Sequence, residues 1–289
     1  MGEASARLRF CIDLSNHLWS GSRTPAAGLA RIVDLAQQAE KAGYDSVWAS
    51  EDPDSWDAFA VLSALSQATA RIRLGPGVTN PFHRHPNLIA ASVATLDRLS
   101  LGRAFLGLGR GQPEWYERAL GIKAGSPLAV LEETFDLLHQ WWGPSHRASA
   151  AGPIRVTNWE RRVHPVQPAP PIYLAAVGPK ALALAGRRAD GVLYNELASV
   201  TFMTKAIATA RAAATAAGRD PAELAFFARP GVIITDHPEP ILEQRKNVIA
   251  MIHALPGMER LTESPNFDTV QIVADVRRLM RTNDVLARG

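Results

Sequence analysis

Four groups of residues in this 289-residue chain have the types and spacing to do chemistry. Acids close two apolar stretches: Asp13 lies at the end of Leu8–Leu14, and Glu51 and Asp52 follow Ser46–Ser50. Carboxylates at such ends can hold or deliver a proton, or bond a ligand ring. A third apolar stretch opens at Ile72 and runs into Gly75-Pro76-Gly77-Val78-Thr79-Asn80-Pro81. A fourth, Ala104–Leu108, ends in Gly109-Arg110-Gly111. Glycines there let backbone come close to a ring or a phosphate. Arg110 is either an anion partner or a surface arginine in a turn. Gly178-Pro179-Lys180 follows Ile172–Ala176 and opens a helix. It is an ordinary helix start or a phosphate seat, since free amides and the helix dipole favour an anion. Asn195 ends the short stretch Gly191–Tyr194. His83 and His85, two apart, suit no helix-face metal pair and read as packing at a helix start. No metal is expected.

The elements that must position these groups alternate. Pro25–Ala42 predicts a helix with Leu29, Ile32, Val33 and Ala36 on one face and Gly43 at its stop. Asp57 is the expected N-cap of a helix through Thr69. Pro86 suits the first position of a helix with Ile89, Val93 and Leu96 inward. Pro113–Gly121 reads as a short helix, and Leu128–Trp142 as a longer one burying Val130, Leu131, Phe135, Leu138 and Trp142. Gly143–Pro170 breaks the alternation. It reads as an insertion over the mouth of a barrel, with Ile154-Arg155-Val156 in a hairpin. Thr201–Ala217 and Pro240–His253 are expected helices, Leu224–Thr235 holds a seventh strand broken at Pro230-Gly231, and Val270–Leu286 is a terminal helix. Alternation at roughly 30-residue spacing argues an α/β fold, a (β/α) barrel over 1–289 as one domain. No convincing eighth strand is visible. Either Gln271-Ile272-Val273 serves, or the barrel stays open or is completed by a partner.

Composition narrows the function. Lys plus Arg is 31 against 28 for Asp plus Glu, and the charges are scattered. A nucleic-acid arm or a membrane-surface helix is therefore not indicated. The one cysteine, Cys11, excludes an intrachain disulfide and a cysteine cluster for zinc. No signal segment and no run of ~18 apolar residues is seen. The cytoplasm is the expected compartment. No Gly-x-Gly-x-x-Gly follows the first strand, so a nicotinamide fingerprint is missing.

Gly75–Pro81, Arg84-His85-Pro86, Ala94-Thr95-Leu96-Asp97 and Gly102-Arg103-Ala104 together resemble the luciferase-like monooxygenase superfamily. The nearest branch uses the deazaflavin coenzyme F420 and includes methylenetetrahydromethanopterin reductase. The resemblance is good from about Leu8 to Thr235. It implies a luciferase-like (β/α)8 barrel with an insertion after strand four, and a homodimer. It implies a cis peptide between Gly77 and Val78 behind the ring, with Thr79 and Asn80 bonding the cofactor. Ala175, Ala176, Val177 and Gly178 would line the cofactor tail, with Pro179 and Lys180 completing the phosphate seat. Asp52, Gly109, Arg110, Gly111 and Asn195 join the expected cofactor contacts. Asp13 and Glu51 are the expected catalytic acids. On adjacent strands ~4.8 Å apart, they would repel, and one would keep a proton near neutral pH. The implied activity is hydride transfer between F420 and a small organic substrate. The alternatives are an FMN monooxygenase and a non-catalytic flavin-binding homologue. Relatives commonly carry Asp-His where this chain has Glu51-Asp52, and an acid where it has Gln112. Both departures argue against the methanopterin substrate.

Overall fold

A computed structural model describes residues 8–279, except 16, 22, 23, 124, 255, 256 and 267. The chain folds as two compact units that divide between Tyr173 and Leu174. The first unit holds β1 (Cys11–Leu14), a helical turn α1 (His17–Ser20), α2 (Pro25–Lys41), β2 (Ser46–Ala49), α3 (Ala58–Ala68) and β3 (Arg73–Pro76). It continues with α4 (Pro86–Leu99), β4 (Leu106–Leu108), α5 (Pro113–Leu120), α6 (Pro127–Trp142), and a hairpin of β5 (Arg147–Ala151) and β6 (Arg155–Glu160).

β1, β2 and β3 are parallel neighbours, in a register that aligns Asp13, Trp48 and Gly75. β4 continues the row through bridges from Leu74 to Ala104 and from Thr79 to Leu108. The carboxyl ends of four strands thus share one edge. The helices between them start as their sequences require. The Thr24 and Asp57 side chains accept the amides of Ala27, and of Phe59 and Ala60. The His85 side chain accepts the Asn87 amide just ahead of Pro86, which fixes its role as a cap. Ile32, Ala36, Ile89, Val93 and Leu96 are buried as expected. Leu29 is exposed instead, and Ala39 extends the inner face of α2 in its place.

Three polar side chains tie these layers at the opposite edge. The Glu40 carboxylate accepts the amides of Ala70, Arg71 and Ile72. Arg103 donates to the carbonyls of Ser66, Thr69, Ile72 and Ser100. Asp97, fully buried, accepts from Ala104 N, Val166 N, Gln167 N and the Gln167 amide at 2.6–3.3 Å. The motif residues Asp97 and Arg103 are therefore structural. They join the end of α4 to the strand that follows and to the chain returning from the hairpin.

The hairpin forms where Ile154–Val156 suggested it, but its partners lie on helices and not on strand ends. Gln140 and Glu133 of α6 accept amides of Ser149, Gly152 and Ile154. Trp141 donates its indole N–H to the Trp159 carbonyl at 3.0 Å. The reason is chemical: the apolar face of α6 is buried, and its polar residues offer acceptors to unpaired hairpin amides.

The second unit contains the second half of β7 (Ile172–Ala175), α7 (Pro179–Arg188), β8 (Gly191–Leu193), α8 (Val200–Ala216), β9 (Ala225–Phe227), α9 (Glu239–Ala254) and α10 (Thr269–Leu279). Turns of 3-10 helix cover Pro221–Glu223 and Met258–Thr262. β8 and β9 are parallel. The segment Leu224–Thr235 holds β9 over Ala225–Phe227, ahead of the expected break at Pro230-Gly231, and Val232, Ile233 and Ile234 beyond the break are exposed. Gln271, Ile272 and Val273 lie within α10, so they are not an eighth strand; their pattern belongs to a helix face with Val273 buried. Among the described residues no strand follows β9. The terminal helix expected to reach Leu286 is described to Leu279 only.

Two outcomes follow from the tying residues. Asp97→Ala removes the acceptor of one buried and three part-buried donors and should lower stability by about 2–4 kcal/mol, read from the shift of the urea midpoint; a shift near zero would remove Asp97 from this role. For Glu40, burial works against ionisation, but the bonds from the Ile72, Arg71 and Ala70 amides outweigh it and hold the carboxyl below the usual range. A depressed value contributes stability above the unfolded pKa and loses it as pH falls through the folded one. The midpoint gap between the native protein and Glu40→Gln should be full at pH 7 and should close below about pH 4.

Candidate active site

The strand edge in the first unit gathers most of the expected residues. The floor is apolar and tight. The Trp48 ring packs 4.3 Å from Phe105 and 5.7 Å from Tyr173. A Cβ on Gly107 would sit 2.1 Å from the Pro76 carbonyl oxygen and 3.1 Å from Trp48. A side chain there would part the strands, so glycine is required for close approach. Above this floor the peptide between Gly77 and Val78 is cis, as the resemblance implied. Gly77 donates its amide to the Ala49 carbonyl at 2.7 Å. An Asp13 carboxylate oxygen would lie 3.7 Å from a Cβ on Gly77, which puts the acid beside this peptide.

Glu51 is placed differently from expectation. It is buried, and both its oxygens are engaged. Thr79 Oγ1 donates to one, and Arg84 Nη2 donates to the other at 2.7 Å. The same guanidinium nitrogen reaches Asp57, the cap of α3, at 3.0 Å. Arg84 also lies over the Phe59 ring at 5.1 Å. Burial alone would lower the Arg84 pKa; the bonds and charges of Glu51 and Asp57 outweigh it and raise it. Glu51 is thus one half of an ion pair. Asp57 is held below the usual carboxylate range: burial raises its pKa, but Arg84 and the amides of Ala60 and Phe59 lower it further.

Thr79 and Asn80, expected to bond a cofactor, are both buried. The Thr79 hydroxyl is spent on Glu51, and its amide and carbonyl bond Gly107 and Gly109. Asn80 Oδ1 accepts the amides of Phe82 and His83 at 3.1 and 2.8 Å. Both side chains shape the turn that carries Arg84. Thr79 thus uses its hydroxyl hydrogen and its amide hydrogen within the protein, and its hydroxyl oxygen keeps acceptor capacity. Gly109 is buried and Arg110 is exposed. Gly111 adopts φ 61°, and a Cβ there would fall 1.5 Å from the Tyr116 hydroxyl.

Three residues matter here that the sequence did not single out as a site. Arg84 sat inside a recognised motif, which was its signal. Trp48 is one of three tryptophans, with Trp56 and Trp115, expected to pack, with one of the three bordering the substrate pocket. Tyr116 gave no signal, being one aromatic in a short polar helix. It is buried, with Phe82 stacked 6.2 Å away. Burial, with the charges of Asp52 and Glu51, pushes its phenol well above the ordinary tyrosine value. Asp52 therefore stands close to this phenol.

In the second unit, β7 leads through buried Ala176 to the start of α7. Gly178 is the N-cap and supplies no side-chain bond, and a Cβ there would meet nothing within 4 Å. Pro179 and Lys180 are exposed, and Ala175 and Val177 half-buried. The N-terminus of α7 is thus not covered by a side chain at Gly178. Asn195 is half-buried, and its Oδ1 accepts the Leu197 amide at 3.1 Å.

Parallel strands joined by helices, with acids and glycines at their carboxyl edge, define the barrel class in which ligands bind at that edge. Residues 8–281 match the luciferase-like monooxygenase family, and the chain belongs to it. It is 34% identical over 214 residues to 5,10-methylenetetrahydromethanopterin reductase of Methanolobus tindarius, covering 69% of this chain and 60% of that protein. It is also 34% identical over 218 residues to the F420-dependent hydroxymycolic acid dehydrogenase of Mycobacterium tuberculosis, covering 71% and 59%. The structure of the coenzyme F420 dependent tetrahydromethanopterin reductase from Methanopyrus kandleri superposes with a TM-score of 0.75 at 25% identity, over 98% of this chain and 83% of that one. The fold is thus α/β, of the luciferase-like (β/α) barrel type. The chain spans about three fifths of the length of the two curated relatives named here.

The Arg84 pair has a measurable consequence. The Glu51 side chain is 1% exposed and that of Arg84 17%. Breaking a buried pair by removing one partner costs about 3–5 kcal/mol, because a charge is left alone. Arg84→Met should lower the urea midpoint by that amount, and adding Glu51→Gln should restore much of it. An unchanged midpoint in the single variant would show that the pair does not support the site.

Proposed function

We propose that the protein is an oxidoreductase that uses coenzyme F420 to transfer a hydride to or from a small organic substrate. The observation that carries this reading is the Asp13 carboxylate beside the Gly77–Val78 peptide, on the Trp48 floor at the strand edge. The names of the relatives at 34% identity support the choice of F420. The residues present suit a flat ring with an anionic tail. Gly77 leaves the floor without a side chain, and Gly178 leaves the start of α7 open. The deazaflavin, when bound, supplies the hydride chemistry.

The chain's own residues orient and protonate. Asp13 is the group assigned to move the proton that accompanies hydride transfer. Glu51, fixed by Arg84 and Thr79, keeps the end of β2 in place and lends negative charge next to Asp52 and Tyr116. Arg110, exposed between two glycines, is the cation assigned to an anionic group of substrate or cofactor. Gly178, Pro179 and Lys180, with Ala175, Ala176 and Val177 before them, are proposed as the anion seat of the second unit. Residues 1–289 are proposed as one functional domain, a homodimer in the cytoplasm. A net charge of +3 suits an anionic ligand without implying nucleic acid. No described helix is long and apolar enough to cross a membrane.

Reconstitution with each cofactor tests the reading. F420 should bind and FMN should not, as followed by absorbance and fluorescence titration. FMN binding alone would move the protein to the monooxygenase branch, and binding of neither would make it non-catalytic. Asp13→Asn should reduce turnover about 10²- to 10⁴-fold while F420 affinity stays within a factor of about two, since one charge of several neighbours is removed. Full turnover would take Asp13 out of the mechanism.

A further inference from the structure

A second candidate site lies off the strand edge, in the first unit. The start of α4 and the strand leaving the hairpin enclose an open groove of about 850 Å³, within the range of small-molecule sites. His85, Asn87 and Leu88 form one wall, and Trp159, Arg161 and Arg162 the other. The hairpin is built irregularly here. Its register shifts between Ala148 and Ala150, and Asn158 holds φ 47°, a region uncommon for residues other than glycine. Such bulges re-aim side chains. The residues that follow Asn158 are Trp159, more than half exposed, and, two further on, Arg161.

Charge in the groove is unbalanced. Arg147 pairs with Glu160, which uses the one carboxylate of the lining. Arg161 has no carboxylate among the described residues. Its Nη1 donates to the Asn87 carbonyl at 3.0 Å and to the Asn87 side chain. Its Nε is buried without any partner, and burial lowers its pKa with no acid to offset it. A half-buried guanidinium facing only a neutral amide lacks its usual acceptor. Arg162 is exposed beside it. Leu88 and Trp159 are exposed apolar surface on either side.

We propose that this groove binds an aromatic organic anion, its carboxylate or phosphate on Arg161 and Arg162 and its ring against Trp159 and Leu88. The geometry matches both halves of that ligand: planar guanidinium forks bond carboxylate or phosphate oxygens in pairs, and aromatic rings stack on indole at an edge or offset. The site is independent of the F420 reading.

The test uses the full chain saturated with F420 and repeated without it, titrated calorimetrically with 1-naphthoate. Neutral 1-naphthol and acetate each remove one half of the recognition. Saturable binding of 1-naphthoate is expected, at least about tenfold tighter than either control, and weaker at high salt. Arg162→Gln, which touches no described bond, and Trp159→Ala should each reduce affinity about tenfold. Arg161→Gln should reduce it further; its urea midpoint shows whether the wall itself has been lost. 1-Naphthyl phosphate, run alongside, separates a carboxylate from a phosphate preference. No saturable binding, or binding unaffected by both Arg162→Gln and Trp159→Ala, overturns the proposal.

Discussion

One guanidinium holds the candidate site in shape. Arg84 arrives on the turn after β3 and meets Glu51 at the end of β2 and Asp57 at the head of α3. Three consecutive pieces of chain are thereby fixed to one cation. The arrangement is stable because Glu51 does not stand alone in the interior: a charge taken from water needs a partner and full hydrogen bonding. Thr79 supplies the second bond. Without this cluster the β2–α3 loop would carry an acid with no reason to stay inside, and Asp52 and Tyr116 would lose their fixed surroundings. The cost of the cluster is chemical. Both Glu51 oxygens are committed to Thr79 and Arg84, which is why the proposed proton-moving role is given to Asp13.

The opposite edge is organised by a different rule. There the polar side chains bind backbone, not one another. Glu40 gathers amides, Arg103 gathers carbonyls, and Asp97 joins two segments far apart in sequence. Backbone ends that leave helices and enter strands must be paired when buried. These residues meet that need and leave the carboxyl edge free for function. Residues of one recognised motif family thus divide by location: some serve the site, and others serve the joints below it.

The sequence was most legible where periodicity and caps agree. Pro86 with Ile89, Val93 and Leu96 reads as a helix from local physics alone, and so does Asp57 ahead of α3. The short strand ends were legible as glycine and acid. Illegible were the partners. Nothing in Glu51-Asp52 shows that an arginine 33 positions on will reach back to the first acid, because that depends on the turn after β3. The hairpin was visible, but its resting place was not, since it is decided by acceptors on α6. Tyr116 was hidden for the same reason: its burial comes from Phe82 and Gly111, not from any pattern of its own. Within Leu224–Thr235 the break at Pro230-Gly231 was legible, but the strand's end at Phe227, ahead of that break, was not.

The loop after β4 has a use in protein engineering. Gly109 is buried and Gly111 is locked by its left-handed backbone against the Tyr116 hydroxyl, yet Arg110 between them is open to solvent. A laboratory-evolution library that spreads mutations evenly over this loop would mostly collect misfolded clones. One that varies position 110 alone keeps the backbone as a fixed mount and exchanges only what is mounted on it. On the role proposed for Arg110, selectivity and folding are separable at this loop, and successive rounds can retune the first without drawing down the second.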